Sequence, residues 1–229
     1  MKKFGELFLS ESTNCPYLEE QRARFENFFA LELSPEETDF ILNSGWRKFG
    51  PHFFRPQCEK CQACTPLRVL TDSFVATKEQ RRVLKKGREL KSTFGPLEYE
   101  PRYFELYRQH SIEKFKSIPI TSEQDFFESF FIPSTPSLLH RIEYDGELVA
   151  AGLLDKGELS LSSVYFFYDP SFSKYSLGTL SALREIEYAR TSALPHYYLG
   201  YYIKENKHMS YKARFSPYQL YDWYNQTWK

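Results

Sequence analysis

Ser176-Leu177-Gly178-Thr179 opens a helical pattern, and the aromatic block Tyr197-Tyr198-Leu199-Gly200-Tyr201-Tyr202-Ile203-Lys204 follows that helix. Met209-Ser210-Tyr211-Lys212-Ala213-Arg214-Phe215 comes next. Physically the order is strand end, helix N-terminus, apolar strand, then a basic and tyrosine-rich turn. The first N–H groups of a helix have no partner within it, and its dipole is positive there. A helix start with a glycine beside it therefore holds an anion readily. This stretch is the candidate reaction centre, and the remaining chain is read as its support.

The chain has 229 residues, of which 41% are hydrophobic and 18% aromatic, so it can bury a sizeable core. Thirty Lys and Arg balance thirty Asp and Glu. A zero net charge argues against a uniformly basic nucleic-acid coat but allows a local patch. No apolar run approaches the roughly 18 residues a membrane span needs, so no membrane contact is expected. Lys2 and Lys3 are followed by Glu6 and Glu11 with no small-residue cleavage site, which does not suit a secretory leader. A cytoplasmic location is the expectation.

Around the opening stretch the pattern alternates between periods. Residues 25–31 are a strand. Ser34-Pro35-Glu36-Glu37 starts a helix that should stop at Ser44-Gly45. Residues 46–49 and 52–55 are extended, and 66–70 form another strand. Thr77 caps a helix from 78 to about 91, whose run to Arg88 holds six basic residues and one acid. Helices follow at 102–115 and 122–131. Residues 139–144 and 147–154 form a hairpin through Asp145-Gly146, and 159–168 is a third strand. Helix 177–193, strand 197–203, short helix 209–214 and strand 219–224 complete the chain. Three antiparallel strands followed by a strand–helix–strand unit predict an α/β (α+β) fold with a mixed, mainly antiparallel sheet and helices on its faces. That order resembles the GNAT acyltransferases. Residues 1–65 are read as an N-terminal cysteine-containing module and 66–229 as the GNAT-like transfer domain.

All four cysteines lie in the first third. Cys58, Cys61 and Cys64 form C-x₂-C-x₂-C, and Cys15 is a possible fourth ligand from a distant loop. Two intervening residues let a tight loop turn two thiolates toward one ion. Structural tetrahedral zinc and an iron–sulfur cluster both fit, and the spacing does not separate them. Reduced buried thiols that pack a small module are the plainer alternative.

Several motifs in one order carry a resemblance to a known family. They are Cys15-Pro16-Tyr17-Leu18, Gly45-Trp46-Arg47-Lys48, Phe54-Arg55-Pro56, the cysteine run leading to Pro66-Leu67-Arg68, Gln80-Arg81-Arg82-Val83-Leu84, Phe167-Tyr168-Asp169-Pro170, Ser176-Leu177-Gly178-Thr179, Tyr198-Leu199-Gly200-Tyr201 and Tyr211-Lys212-Ala213-Arg214-Phe215. The chain resembles the arginyl/leucyl-tRNA–protein transferases, nearest the bacterial leucyl branch. The resemblance implies an enzyme that moves leucine from Leu-tRNA to the α-amine of proteins beginning with Asp or Glu, marking them for degradation by the N-degron pathway. Two departures stand out: Glu205-Asn206 where relatives usually carry Gly-Cys, and His208 where they carry lysine.

An aminoacyl ester is already activated, so no cofactor is required for transfer. The site must orient amine and ester, stabilise an oxyanion and accept a proton. Ser176, Leu177, Gly178 and Thr179 are the donor-binding candidates. Tyr201, Tyr211 and Asp169 are the proton-handling ones. Lys204, Lys212 and Arg214 are placed to meet an acidic acceptor, and Arg81, Arg82, Lys85 and Lys86 to meet tRNA phosphates. Plain readings compete: a serine cap, packing tyrosines, an Asp-Pro turn and a solvated basic helix face. Alternatives at the level of function are an arginyl donor, a coenzyme A-dependent N-acetyltransferase, or a non-catalytic RNA- or protein-binding module. Against coenzyme A, Lys174–Thr179 holds one glycine and lacks the Arg or Gln that opens such a pyrophosphate loop.

Overall fold

A computed structural model describes residues 1–116 and 119–229. The first half comprises β1 (Lys2–Leu9), β2 (Thr13–Asn14), β3 (Arg22–Ala23), β4 (Phe25–Leu31), α1 (Pro35–Asn43), β5 (Arg47–Phe49), β6 (His52–Pro56), β7 (Thr65–Leu70), α2 (Lys78–Lys86), β8 (Lys91–Pro96) and α3 (Pro101–Phe115). The second comprises α4 (Glu123–Phe130), β9 (Ser137–Tyr144), β10 (Glu147–Lys156), β11 (Ser160–Tyr168), α5 (Leu177–Thr191), β12 (His196–Tyr202), α6 (Lys207–Ser210), β13 (Tyr218–Asp222) and β14 (Thr227–Trp228). Short 3-10 segments sit at Gly87–Glu89, Pro170–Tyr175 and Tyr211–Arg214.

Residues 2–56 build a four-stranded sheet in the order β1-β4-β6-β5, and β7 onward builds an eight-stranded one in the order β14-β13-β7-β12-β11-β10-β9-β8. Among the described residues every pairing in the large sheet is antiparallel except β11 with β12. Parallel neighbours need a crossover, and α5 supplies it. On one face α5 packs Leu183 and Ile186 against Leu67, Leu154, Leu161 and Tyr197. On the other, α3 and α4 pack Tyr103, Tyr107 and Phe126 against Leu153 and Phe167. Helices on both faces explain why β10 is buried from Leu148 to Asp155 without alternation.

One expectation is corrected. The basic helix does not run to 91: α2 ends at Lys86, and Lys91–Pro96 is an edge strand paired with β9. A Cβ on Gly87 would stand 2.5 Å from Leu180 Cδ2, so this glycine lets α2 close on α5. The edge strand exists through its pairing to residues 138–143, which local periodicity does not encode.

The feature that positions the site is an interrupted ladder. β11 and β12 pair only at Ser160↔His196, Leu161↔Tyr197 and Ser162↔Tyr198. Beyond these, β11 continues to Tyr168 held by β10, and β12 continues to Tyr202 held by β7. A bulge lies between Tyr198 and Gly200, where Gly200 takes φ +82°, a conformation that costs glycine little. The sheet is thus open between two parallel strands at their C-terminal ends, the end at which open α/β sheets bind ligands.

Candidate functional site

Two segments leave the strands on either side of this opening. From β11 the Pro170–Tyr175 turn delivers the N-terminus of α5. Asp169 caps that turn, accepting from Ser171 N at 2.9 Å and Ser171 Oγ at 2.7 Å, so it serves geometry there. Ser176 is exposed, adopts φ +54° and makes no side-chain cap bond. Leu177 is 1% exposed and belongs to the core. The Thr179 N–H bonds to the Ser176 carbonyl at 2.9 Å. Among the described residues the Leu177 and Gly178 N–H groups take no acceptor. The sequence-predicted anion site therefore reduces to two backbone donors beside an exposed glycine.

The opposite wall comes from β12 and the Lys207–Arg214 turn. Lys212 is 8% exposed, and its Nζ donates to the Tyr201 carbonyl at 2.6 Å, with Met209 Sδ at 3.8 Å. Burial pushes its ammonium down to about 7, and the positive charge of Arg47 pushes the same way. Lys204 and Arg214 are exposed, and the Arg214 carbonyl accepts from Gln80 Nε2 at 3.0 Å. Of the three cations expected to meet an acidic acceptor, only Lys212 is interior. The Tyr201 hydroxyl donates to the Gly45 carbonyl at 3.0 Å and lies 3.3 Å from the Phe54 carbonyl; burial raises its pKa. That hydroxyl fastens the N-terminal sheet to β12. Tyr211 is more open, and burial of its hydroxyl together with the nearby Glu185 carboxylate raises its pKa.

Two features were not anticipated from sequence. The first is Arg47, 8% exposed, lying over the Tyr198 ring at 5.2 Å and the Tyr201 ring at 5.7 Å. The motif Gly45-Trp46-Arg47-Lys48 was visible, but its environment was not. Gly45 has φ +83°, and a Cβ there would stand 2.7 Å from the Trp223 ring, so glycine is required for the turn that delivers Arg47. The second is a buried cluster on α5. Glu185, 1% exposed, accepts from Ser181 and Tyr197 hydroxyls, and its Oε1 lies 2.9 Å from His140 Nδ1. His140 Nε2 lies 3.0 Å from Ser92 Oγ, to which Arg184 donates at 2.6 Å. Burial pushes the Glu185 carboxyl up, but His140, Ser181 and Tyr197 outweigh it and hold the group below its ordinary value.

Arg81, Arg82, Lys85 and Lys86 are all exposed on α2. The C-terminal end of this helix meets the first turn of α5 at Leu180, so the basic face adjoins the donor side of the opening. The four cysteines line one cavity of about 20 Å³ together with Tyr17. All are free thiols, and burial and then the other three thiols push Cys64 up to about 12. Donor type and enclosure suit a four-sulfur metal site. As the side chains stand, however, no three His, Cys, Asp or Glu among the described residues converge as a ligand set. The loop carrying Cys15 is tied to the basic turn by Asn206, whose Nδ2 donates to the Tyr17 carbonyl at 2.9 Å.

Family models described as Arginine-tRNA-protein transferase, N terminus, and Arginine-tRNA-protein transferase, C terminus, match residues 13–82 and 102–222. The aspartate/glutamate leucyltransferase of Helicobacter hepaticus is 33% identical over 220 residues, covering 93% of this chain and 90% of that protein. Its namesake in Marinobacter nauticus is 39% identical over 177 residues, covering 76% and 74%. Among solved structures, FemX superposes with a TM-score of 0.51 at 9% identity, over 80% of this chain. A C-terminal domain assigned to a lysylphosphatidylglycerol synthetase of Agrobacterium fabrum gives 0.50 at 14%, over 85%. This chain spans 65% of each of those two structures, and the likeness is one of fold. Matched in both its halves and aligned almost end to end with bacterial leucyltransferases, the chain belongs to the arginyl/leucyl-tRNA–protein transferase family.

Proposed function

We propose that this transferase moves leucine from Leu-tRNA to the α-amine of proteins that begin with Asp or Glu, the activity named for its relatives. The observation that carries the reading is the opening between β11 and β12, with two unpartnered N–H groups on one wall and a buried lysine on the other. The fold around it is read as GNAT-like, with residues 1–65 as a module docked on it. In the reaction the amine nitrogen bonds to the ester carbonyl carbon. The carbon–oxygen bond to the ribose then breaks, and the proton lost by the amine ends on the ribose oxygen. The α-amine has an ordinary pKa of about 7.7–8.0, so enough is neutral near pH 7 to attack. The Leu177 and Gly178 N–H groups face the developing oxyanion or the donor's terminal phosphate. Tyr211 is the proton-handling candidate that the geometry leaves uncommitted. Tyr201 and Asp169 hold the two walls in place.

The exposed basic face of α2 is read as the tRNA contact. Changing Arg81, Arg82, Lys85 and Lys86 together to Glu should weaken Leu-tRNA binding tenfold or more at low salt and flatten its salt dependence, each lost phosphate contact removing about 0.7–0.9 from the slope. Unchanged binding at low salt would remove α2 from the interface. Cys15, Cys58, Cys61 and Cys64 are the residues that would hold a zinc ion or iron–sulfur cluster, which when bound cross-links the N-terminal module and takes no part in the transfer. The functional test is a transfer assay with labelled Leu-tRNA or Arg-tRNA and peptides beginning with Asp, Glu, Asn, Gln, Lys or Ala. Leucine transfer to Asp and Glu peptides is the expected result. Transfer from Arg-tRNA alone, or tight binding of acetyl coenzyme A with no transfer, would overturn it.

A further inference from the structure

Buried cations are ordinarily paired, because an ion removed from water without a counter-charge is strongly destabilising. Among the described residues, Arg47 and Lys212 are buried cations with no carboxylate within ion-pair distance. Arg47 and Lys48 are consecutive and both buried, yet their circumstances differ. Lys48 Nζ has Asp155 at 3.0 Å. Asp155 is further committed to Thr135 Oγ1 at 2.8 Å. Arg47 donates once, through Nη1 to the adjacent Trp46 carbonyl, while its buried Nε and Nη2 have no hydrogen-bond partner. Lys212 has a backbone carbonyl and a thioether but no carboxylate among the described residues. The two cations converge on one residue: Arg47 on the Tyr201 ring and Lys212 on the Tyr201 carbonyl, at the edge of the sheet opening. They also repel, since Arg47 helps to hold the Lys212 ammonium down.

Asp155 acts on Arg47 only at longer range, already held by Lys48, and the opposite-sign group that acts on Lys212 is the Cys64 sulfur. With no carboxylate in ion-pair contact with either cation, the site favours an anionic group arriving from outside. The reaction offers two, the side-chain carboxylate of an acidic acceptor and a terminal phosphate of the tRNA. The donor side of the opening already has the α5 N-terminus for the phosphate, so the opposite wall is left for the acceptor. We propose that Lys212 receives the side-chain carboxylate of the acceptor's first residue and that Arg47 is the positioning charge that makes this seat select an anion. This rests on the leucyl-transfer reading and assigns its acceptor preference to specific residues. Lys204, just past the end of β12, and Arg214, on the same turn as Lys212, are both exposed and are left outside the seat.

The test compares peptides beginning with Asp and with its neutral isostere Asn, in steady-state transfer from Leu-tRNA. Wild type should prefer Asp. In Lys212→Met the Asp/Asn ratio of kcat/KM should fall at least tenfold, through the peptide KM, with the KM for Leu-tRNA unchanged. Arg47→Gln should lower the same ratio, and Arg47→Lys should restore most of it. Because Arg47 is interior, thermal melts accompany each variant; if Arg47→Gln does not fold, Lys212→Met and Arg47→Lys still decide. A ratio that stays constant while both peptides lose rate equally would reduce both residues to structural roles and overturn the proposal. A raised KM for Leu-tRNA with the peptide KM intact would give the seat to a phosphate and overturn it too. If wild type transfers leucine to no peptide, the transfer reading fails. Calorimetry of the Asp and Asn peptides on wild type and Lys212→Met then judges the seat alone: tighter binding of Asp, abolished by the substitution, supports it, and equal binding overturns it.

Discussion

Glu185→Gln should destabilise the protein by about 3–5 kcal/mol, the range for breaking a buried ionic cluster by removing one member. For a chain of this size that is a fall in melting temperature of about 6–20 °C. The carboxylate is 1% exposed and faces donors from Ser181 and Tyr197 with His140 Nδ1 at 2.9 Å. An amide in its place turns an N–H₂ group toward donors and leaves at least one of them unsatisfied in the core. The surroundings are tight: a Cβ on Gly152 would stand 3.0 Å from Glu185 Oε1 and 3.4 Å from Phe166. Gly152→Ala should therefore cost stability in wild type and less in Glu185→Ala, a coupling that a double-mutant cycle measures. The same carboxyl carries a pH signature. Its folded pKa is depressed, so its contribution is present above the unfolded value and is lost as pH falls through the folded one. Equal melting temperatures for wild type and Glu185→Gln at neutral pH would show that the cluster is dispensable.

What the sequence conceals here is mostly pairing. The helix starting at Leu177, the hairpin through Asp145-Gly146 and the strands around them follow from local period and turn chemistry. The edge strand Lys91–Pro96 does not, since it exists only against β9. Nor does the opening in the sheet, because the residues of β11 and β12 do not announce where their ladder stops. Ser176 was legible as a boundary, but it marks the spot through a left-handed backbone and not through a side-chain cap. The three candidate acceptor cations differ in a property that local sequence does not carry. Lys204, Lys212 and Arg214 look equivalent in sequence, and burial alone separates them. Arg47 and Lys48 look equivalent too, and what distinguishes them is that Asp155, more than a hundred residues away, meets Lys48 at 3.0 Å and makes no ion pair with Arg47. Glu185 sits among Leu180, Leu183 and Ile186 on a helix; its partner Ser181 one turn back was the available hint, whereas His140 lies on another strand.

Gly178→Leu should abolish most transfer, by about a hundredfold, while leaving the fold intact. The contrast with other glycines makes the case. Gly45, Gly87 and Gly157 stand where a Cβ would come within 3 Å of a neighbour, so packing accounts for them. Gly178 has no positive φ, and a Cβ there would meet nothing within 4 Å. Within the first turn of α5, glycine has a conformational cost that alanine lacks, so the fold alone would favour alanine by up to about 0.5–1 kcal/mol. What a missing side chain does supply is access: a ligand can come against the unpartnered Leu177 and Gly178 N–H groups, as a donor ester or phosphate must. Gly178→Ala should thus melt at the same temperature or slightly higher, yet transfer more slowly. A leucine, filling the approach, should displace the ester by an ångström or more, a misplacement that costs on the order of 10²-fold in rate. The binding of uncharged tRNA, carried by the α2 face, should change little. A fully active Gly178→Leu with unaltered KM for Leu-tRNA would mean that the donor does not approach α5, and the reacting ester would then have to be sought along the β12 wall, where the Tyr201 carbonyl and Lys212 already face each other at 2.6 Å.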